Sequence, residues 1–295
     1  MYISAKPSDL STLPQFFIAM HNIMKLFKFF FLFSLLFSYF ISASAYTYTV
    51  EIGQFEKLKV NGNIRVVYNT LPDSTGYARY EAPLGNDNIF VFSTKADGSL
   101  KVQPNDNQWG QKDLPVLYIY SDFISSVESY SDLSIELLNL APCASLSINL
   151  VGNGTIYVEN IKSNNVTAAI TTGNGSIYLY GVCVNANYRM VGAGLISADQ
   201  LRAENVKCRI LGTGSIGCWP IDNLNVTGLG STKIYYKGKP NVSKKGGGKL
   251  FELPEDINPD SYSKLGTEVK TLSPPEEEII DIEDENYQTV VTDDE

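Results

Sequence analysis

Few residues in this chain could do chemistry. The single histidine is His21. It lies upstream of a segment read below as an export signal, so the mature chain is expected to hold none. That removes Ser-His-Asp and Cys-His nucleophiles and every His-based zinc site. Gly212-Thr213-Gly214-Ser215-Ile216-Gly217 is a literal G-x-G-x-x-G. A dinucleotide site would open a helix at this point. Cys218-Trp219-Pro220 follows instead, so the motif reads as a turn. Asp199, Asp222, Arg202 and Lys162 are expected at outward positions. A carboxylate pair among them would suit a polysaccharide-acting β-helix enzyme. Lys162, Arg202 and Asp222, however, fall in one column of mixed sign, which reads as an ordinary solvated face. No catalytic, cofactor-binding or metal-binding residue is assigned. Calcium-binding solenoids place Asp in every turn, whereas these turns carry Asn, Ala and Thr.

The four cysteines are Cys143, Cys183, Cys208 and Cys218. Cys208 and Cys218 share columns with apolar residues, which favours buried free thiols. Cys143 and Cys183 fall in turns two rungs apart, near 10 Å by rung spacing, so that a disulfide, the alternative for an even number of cysteines in a secreted chain, needs rearrangement. Five N-x-S/T sequons, at Asn153, Asn165, Asn174, Asn225 and Asn241, are candidate glycosylation sites.

The elements that would position these residues form a repeat. Gly152-Asn153-Gly154-Thr155-Ile156 recurs as Gly173-Asn174-Gly175-Ser176-Ile177, Gly192-Ala193-Gly194-Leu195-Ile196 and Gly212-Thr213-Gly214-Ser215-Ile216. Degenerate copies open at Ser131 and Gly228, so successive copies start 21, 21, 19, 20 and 16 residues apart. Four residues into each copy stand Ile135, Ile156, Ile177, Ile196 and Ile216. Six residues in stand Leu137, Val158, Leu179, Ala198 and Cys218. Nine residues in stand Leu140, Ile161, Val182, Leu201 and Ile221. The first two columns alternate with period two, the mark of strands buried on one face. A second alternating strand closes each copy, as in Val166-x-Ala168-x-Ile170. One copy cannot bury its own apolar face, but stacked copies can. The expected fold is all-β: a right-handed parallel β-helix, or solenoid, with rungs of about 20 residues and Gly-x-Gly turns. Gly152, Gly154, Gly173, Gly175, Gly192, Gly194, Gly212 and Gly214 serve φ > 0 or a close backbone approach.

Flanking regions differ. Met24-Lys25-Leu26-Phe27-Lys28, the apolar run 29–41 and Ala43-Ser44-Ala45 read as a signal peptide over 24–45, behind an N-terminal extension. Residues 46–130 read as an irregular β cap that ends the solenoid, and 131–236 as regular rungs. Asp97-Gly98 marks a hairpin in the cap. The lysines at 237–249 read as a linker within a solenoid domain spanning 46–250. Residues 251–295 carry fifteen Asp/Glu and two Lys, and read as an acidic disordered tail. The near-neutral body gives no reason to expect nucleic acid binding, and the mature chain holds no expected transmembrane segment.

Phe55-x-x-Leu58-x-Val60-x-Gly62, the Gly-x-Gly-Ser/Thr-Ile copies and Ile234-Tyr235-Tyr236-x-Gly238-x-Pro240 resemble the auto-transporter adhesin head GIN domain family, over roughly residues 52–242. The resemblance implies a bacterial cell-envelope protein with a parallel β-helical fold, and it brings no catalytic residues. The expected protein is a secreted or cell-surface, adhesin-like scaffold without enzymatic activity. Its expected partner is an extracellular glycan or protein surface. The alternatives are glycan cleavage along a groove and a passive envelope component without a specific ligand.

Overall fold

The computed structural model describes residues 45–254. Ile135, Ile156, Ile177, Ile196, Ile216 and Ile234 are in direct register from rung to rung. All six are fully buried. Their strands are β9 (Ser134–Leu138), β15 (Lys233–Tyr236) and the opening parts of β11 (Thr155–Thr172), β12 (Ser176–Met190), β13 (Leu195–Ile210) and β14 (Ser215–Gly228). Together they make one parallel face, here called face A. Each buried isoleucine contributes about 1.5–3 kcal/mol by leaving water.

The long strands then turn two corners. A short face B carries Ile161, Gly181 and Leu201 in register. The closing parts make face C. There Ile148, Ala168, Tyr188, Cys208 and Val226 stack in one inward column. Faces A and C enclose a lumen filled with side chains. The repeat is therefore a parallel β-solenoid, as its periodicity predicts.

The offset-nine column does not survive intact. Register shifts between Val158 and Ile161, and between Tyr178 and Tyr180, displace one rung by a residue. Gly181 takes the inward place between Ile161 and Leu201, while Val182 pairs with Lys162 and Arg202 on the outside. Val182 is accordingly 51% exposed. Asp222 does not join that outer column, because Arg202 pairs onward with Trp219.

The glycine turns are explained by crowding. A Cβ on Gly192, Gly194, Gly212 or Gly214 would run into the carbonyl oxygen of the glycine one rung earlier. None of these four has positive φ; Gly152 and Gly173 do. The same carbonyls accept the ladder hydrogen bonds, from Ala193 N to Gly173 O and from Leu195 N to Gly175 O, both 3.0 Å.

The early region departs most from expectation. β2 (Lys57–Asn61) and β3 (Val66–Asn69) form one rung. β6 (Ser99–Pro104) and β7 (Leu117–Tyr120) form another, and β8 (Ser126–Tyr130) with β9 a third. β2 pairs in parallel with both β6 and β8, and β3 with both β7 and β9. The first rung in the chain is thus sandwiched between two later ones. Antiparallel strands close this end: β5 (Phe90–Thr94) folds onto β6 around Asp97-Gly98, and β1 (Ala45–Glu51) pairs with β4 (Tyr77–Pro83). At the other end the 237–249 stretch is not a linker. β16 (Asn241–Gly246) pairs with β14, and β17 (Lys249–Glu252) with β15, adding a last rung. The tail expected over 251–295 starts too early, since Phe251 and Glu252 belong to β17; from 255 onward, and for the signal-peptide reading of 24–45 apart from Ala45, these readings lie outside the described residues.

Candidate ligand-binding face

Along face A, side chains that alternate with the buried isoleucines point away from the lumen. One outward column runs Tyr157, Tyr178, Ser197, Gly217, Tyr235 and Phe251 in register. The rings of Tyr157 and Tyr178 stack at 4.8 Å and 10°, and those of Tyr235 and Phe251 at 5.2 Å and 22°. Two aromatic stacks therefore flank a window floored by the small residues Ser197 and Gly217. Despite pointing outward, Tyr178, Ser197 and Tyr235 are only 4%, 7% and 8% exposed.

The charge lies beside this column, where β13 breaks register with both neighbours. Asp199 lies two residues beyond Ser197 on the same side, and the Ser197 hydroxyl donates to its Oδ1 at 3.0 Å. Asp199 keeps the outward side expected of it and is nonetheless fully buried. Lys237, also buried, brings Nζ to 3.7 Å from Asp199 Oδ2. The same ammonium lies 5.4 Å from the centroid of the Trp219 ring. Lys237 thus reaches back across the Trp219 rung to an acid two rungs away. Low local dielectric strengthens such a pair but makes either partner costly when alone. Beside it a depression of about 530 Å³ opens, lined by Arg202, Trp219, Pro220, Ile221, Lys237 and Lys239.

The other sequence candidates are not drawn into this site. Lys162, Arg202 and Asp222 are exposed. Among the described residues no group of three or more His, Cys, Asp and Glu could hold a metal ion. The four cysteines are free thiols. Cys143 is in register with Ser163, and Ser163 with Cys183, so two rungs separate them. Burial pushes the Cys183 thiol up to about 12. Cys208 and Cys218 lie in the lumen, where their contact with each other and burial raise the Cys218 thiol well above its usual value. Asn153, Asn165, Asn174, Asn225 and Asn241 are all exposed.

One feature of face C escapes a reading by turns. Asn165, Asn185, Asn205, Asn223 and Asn241 stand in register. Their amides form a ladder: Asn185 donates to Asn165 at 3.1 Å, Asn205 to Asn185 at 3.3 Å and Asn223 to Asn205 at 2.8 Å. The spacing of 20, 20, 18 and 18 residues is visible in the sequence. Two members, Asn165 and Asn241, are sequon asparagines, which hid the column.

Residues 54–240 match the family described as "Putative auto-transporter adhesin, head GIN domain". The chain belongs to that family. Solved structures share the fold. A crystal structure of a "putative adhesin" from Bacteroides fragilis superposes with a TM-score of 0.63 at 20% identity, covering 72% of this chain and 98% of that one. A "putative adhesin" from Parabacteroides merdae gives 0.56 at 22% identity, with the same coverage of each chain. A "putative lipid binding protein" from Parabacteroides distasonis gives 0.56 at 18%, again covering 72% and 98%. At these identities the likeness is one of fold. No curated protein matches the sequence significantly. Among the described residues no helix is long and apolar enough to cross a membrane.

Proposed function

We propose that this head GIN chain is a non-catalytic binding scaffold of the cell envelope, exported by its N-terminal segment, and that face A is where it takes its ligand. The observation that carries this reading is the pair of aromatic stacks, Tyr157–Tyr178 and Tyr235–Phe251, on either side of the Ser197–Gly217 window. Flat aromatic faces bury apolar ligand surface at little cost in side-chain entropy. The Asp199–Lys237 pair beside them offers polar atoms that fix orientation. An extended glycan, or a protein strand of similar width, suits such a strip. Asp199 is neutralised by Lys237 and lacks a second carboxylate from the candidate set beside it, so support for glycan cleavage is weak. The named roles of the family and its structural relatives point the same way.

The test is a glycan array and a cell-surface binding assay with the purified full chain. A Tyr157→Ala/Tyr178→Ala variant should lose at least tenfold in affinity, while Thr167→Ala on face C should bind normally. Equal binding by both variants would remove face A from the reading. A folded wild-type chain that binds nothing would favour a passive envelope component.

A further inference from the structure

Face C carries a surface of its own on its last four rungs, and its chemistry is unlike that of face A. Side chains that alternate with its lumen column stand in three outward columns. One runs Arg189, Arg209, Thr227 and Lys245 in register. Beside it run Asn187, Lys207, Asn225 and Ser243. The third is the asparagine ladder, held in place by its amide-to-amide hydrogen bonds. Arg189, Lys207, Arg209 and Lys245 are all exposed. On these rungs no Asp or Glu stands in any of the three columns, and no aromatic or aliphatic side chain does. Arg189 and Arg209 occupy directly paired positions, one rung of about 4.8 Å apart. Like charges so placed repel each other. The start of the same column is balanced differently. There Lys59 is paired with Glu128 at 2.9 Å, and the register runs on through Asn149 and Ala169 to Arg189. The positive charge at the far end has no such counterpart in its column.

We propose that these four rungs of face C bind a linear acidic polysaccharide laid along the solenoid axis. Its carboxylates sit on Arg189, Lys207, Arg209 and Lys245, and its hydroxyls on the asparagine and threonine side chains between them. A guanidinium matches a carboxylate with two parallel hydrogen bonds. Asn and Thr both donate and accept, as sugar hydroxyls require. The spacing suits a polymer: a rung of about 4.8 Å is close to the length of one sugar residue, so successive rungs meet successive sugars. A bilayer is a poorer match, because the three columns hold nothing apolar to insert. Attraction between exposed charges is screened by salt, so this binding is salt-sensitive. The site is separate from the aromatic strip of face A and stands or falls independently of it.

The experiment is a fluorescence-anisotropy titration of labelled polygalacturonate, a linear uronic acid polymer, with the full chain at low salt. Saturable binding is expected, and carboxyl-reduced polygalacturonate, neutral but otherwise the same polymer, should not bind. An Arg189→Gln/Arg209→Gln variant should bind about tenfold or more weakly, and about 0.5 M salt should have a similar effect. A charge-matched control, Lys95→Gln/Lys112→Gln, removes two exposed cations from the early region and should bind as wild type. Equal loss in that control would reduce the effect to net charge and overturn the proposal. Loss in a Tyr157→Ala/Tyr178→Ala variant with the arginine variant unaffected would place the polymer on face A and overturn it too. So would a folded chain that leaves polygalacturonate unbound, whether or not it takes up phosphatidylglycerol vesicles or single-stranded DNA.

Discussion

The ammonium of Lys237 lies 3.7 Å from the carboxylate of Asp199, two rungs earlier, with the Trp219 ring beneath it. Three rungs are tied together by one side chain. Removing Lys237 leaves the buried Asp199 carboxylate without its countercharge. Lys237→Met is expected to cost about 3–5 kcal/mol in denaturant-induced unfolding. Pairing it with Asp199→Asn should restore more than half of that loss. A single variant as stable as wild type would show that the pair contributes nothing.

The lumen and the outer surface are expected to respond oppositely to truncation at neighbouring repeat positions. Ile177→Ala should destabilise by about 2–5 kcal/mol, because a fully buried side chain leaves a cavity. Val182→Ala should change stability by less than about 0.5 kcal/mol, because that valine faces water. Thermal melts of the two variants decide the matter, and similar shifts would contradict the displaced register of that rung.

Turn crowding predicts a penalty for even one methyl group. Gly194→Ala would press its Cβ on the Gly175 carbonyl, which already accepts a ladder hydrogen bond from Leu195. The expected cost is about 1–3 kcal/mol, typical of overpacking. Calorimetry of the variant reads it directly.

Thiol chemistry should rank the cysteines by burial. Thiolate is the reactive form. With the Cys183 thiol pushed up to about 12 by burial, native protein at pH 8 holds almost none of it. Timed alkylation followed by mass mapping should label Cys143 first, since it is the least buried of the four. Cys183, Cys208 and Cys218 should react only on unfolding.

Acid sensitivity should involve Glu128. Burial opposes its ionisation. Hydrogen bonds from Lys59, Tyr130 and Asn149 outweigh that and hold its carboxyl below the usual value. A depressed folded pKa stabilises the native state above the ordinary carboxylate range, and this contribution disappears as pH falls through the folded value. The Lys59–Glu128 contact of 2.9 Å is partly exposed, so its share is about 0.2–1 kcal/mol at most. Glu128→Gln should flatten the acid limb of the stability profile by that amount.

The regular rungs were legible because Ile135 through Ile216 recur at a nearly fixed interval, and a period of that kind has one cheap solution. Cys208 and Cys218 were legible as interior residues for the same reason. Val182 was not, because a one-residue bulge at Tyr178–Tyr180 leaves the spacing unchanged but reverses which side chain points inward. The burial of Asp199 was not legible, because alternation tells outward from inward, not exposed from covered. Its partner Lys237 lies 38 positions on in a stretch that composition assigned to a linker. The parallel pairings of β2 and β3 lie beyond any local pattern, since both of their neighbours come later in the chain.

That inserted rung has a consequence for how the molecule is made. Residues 57–69 have both parallel neighbours in strands that end at 104, 120, 130 and 138. As a nascent chain emerges from its N-terminus, this stretch must wait, unpaired, until the sequence through β9 is available. The even stack from β10 (Cys143–Val151) onward can zip coil upon coil, each on a finished template. Distant pairings close slowly, because the chain pays for the loop before the contact repays it. Assembly therefore has a slow step at the end synthesised first, and substitutions such as Val60→Ala should delay refolding more than equally buried changes among the later coils.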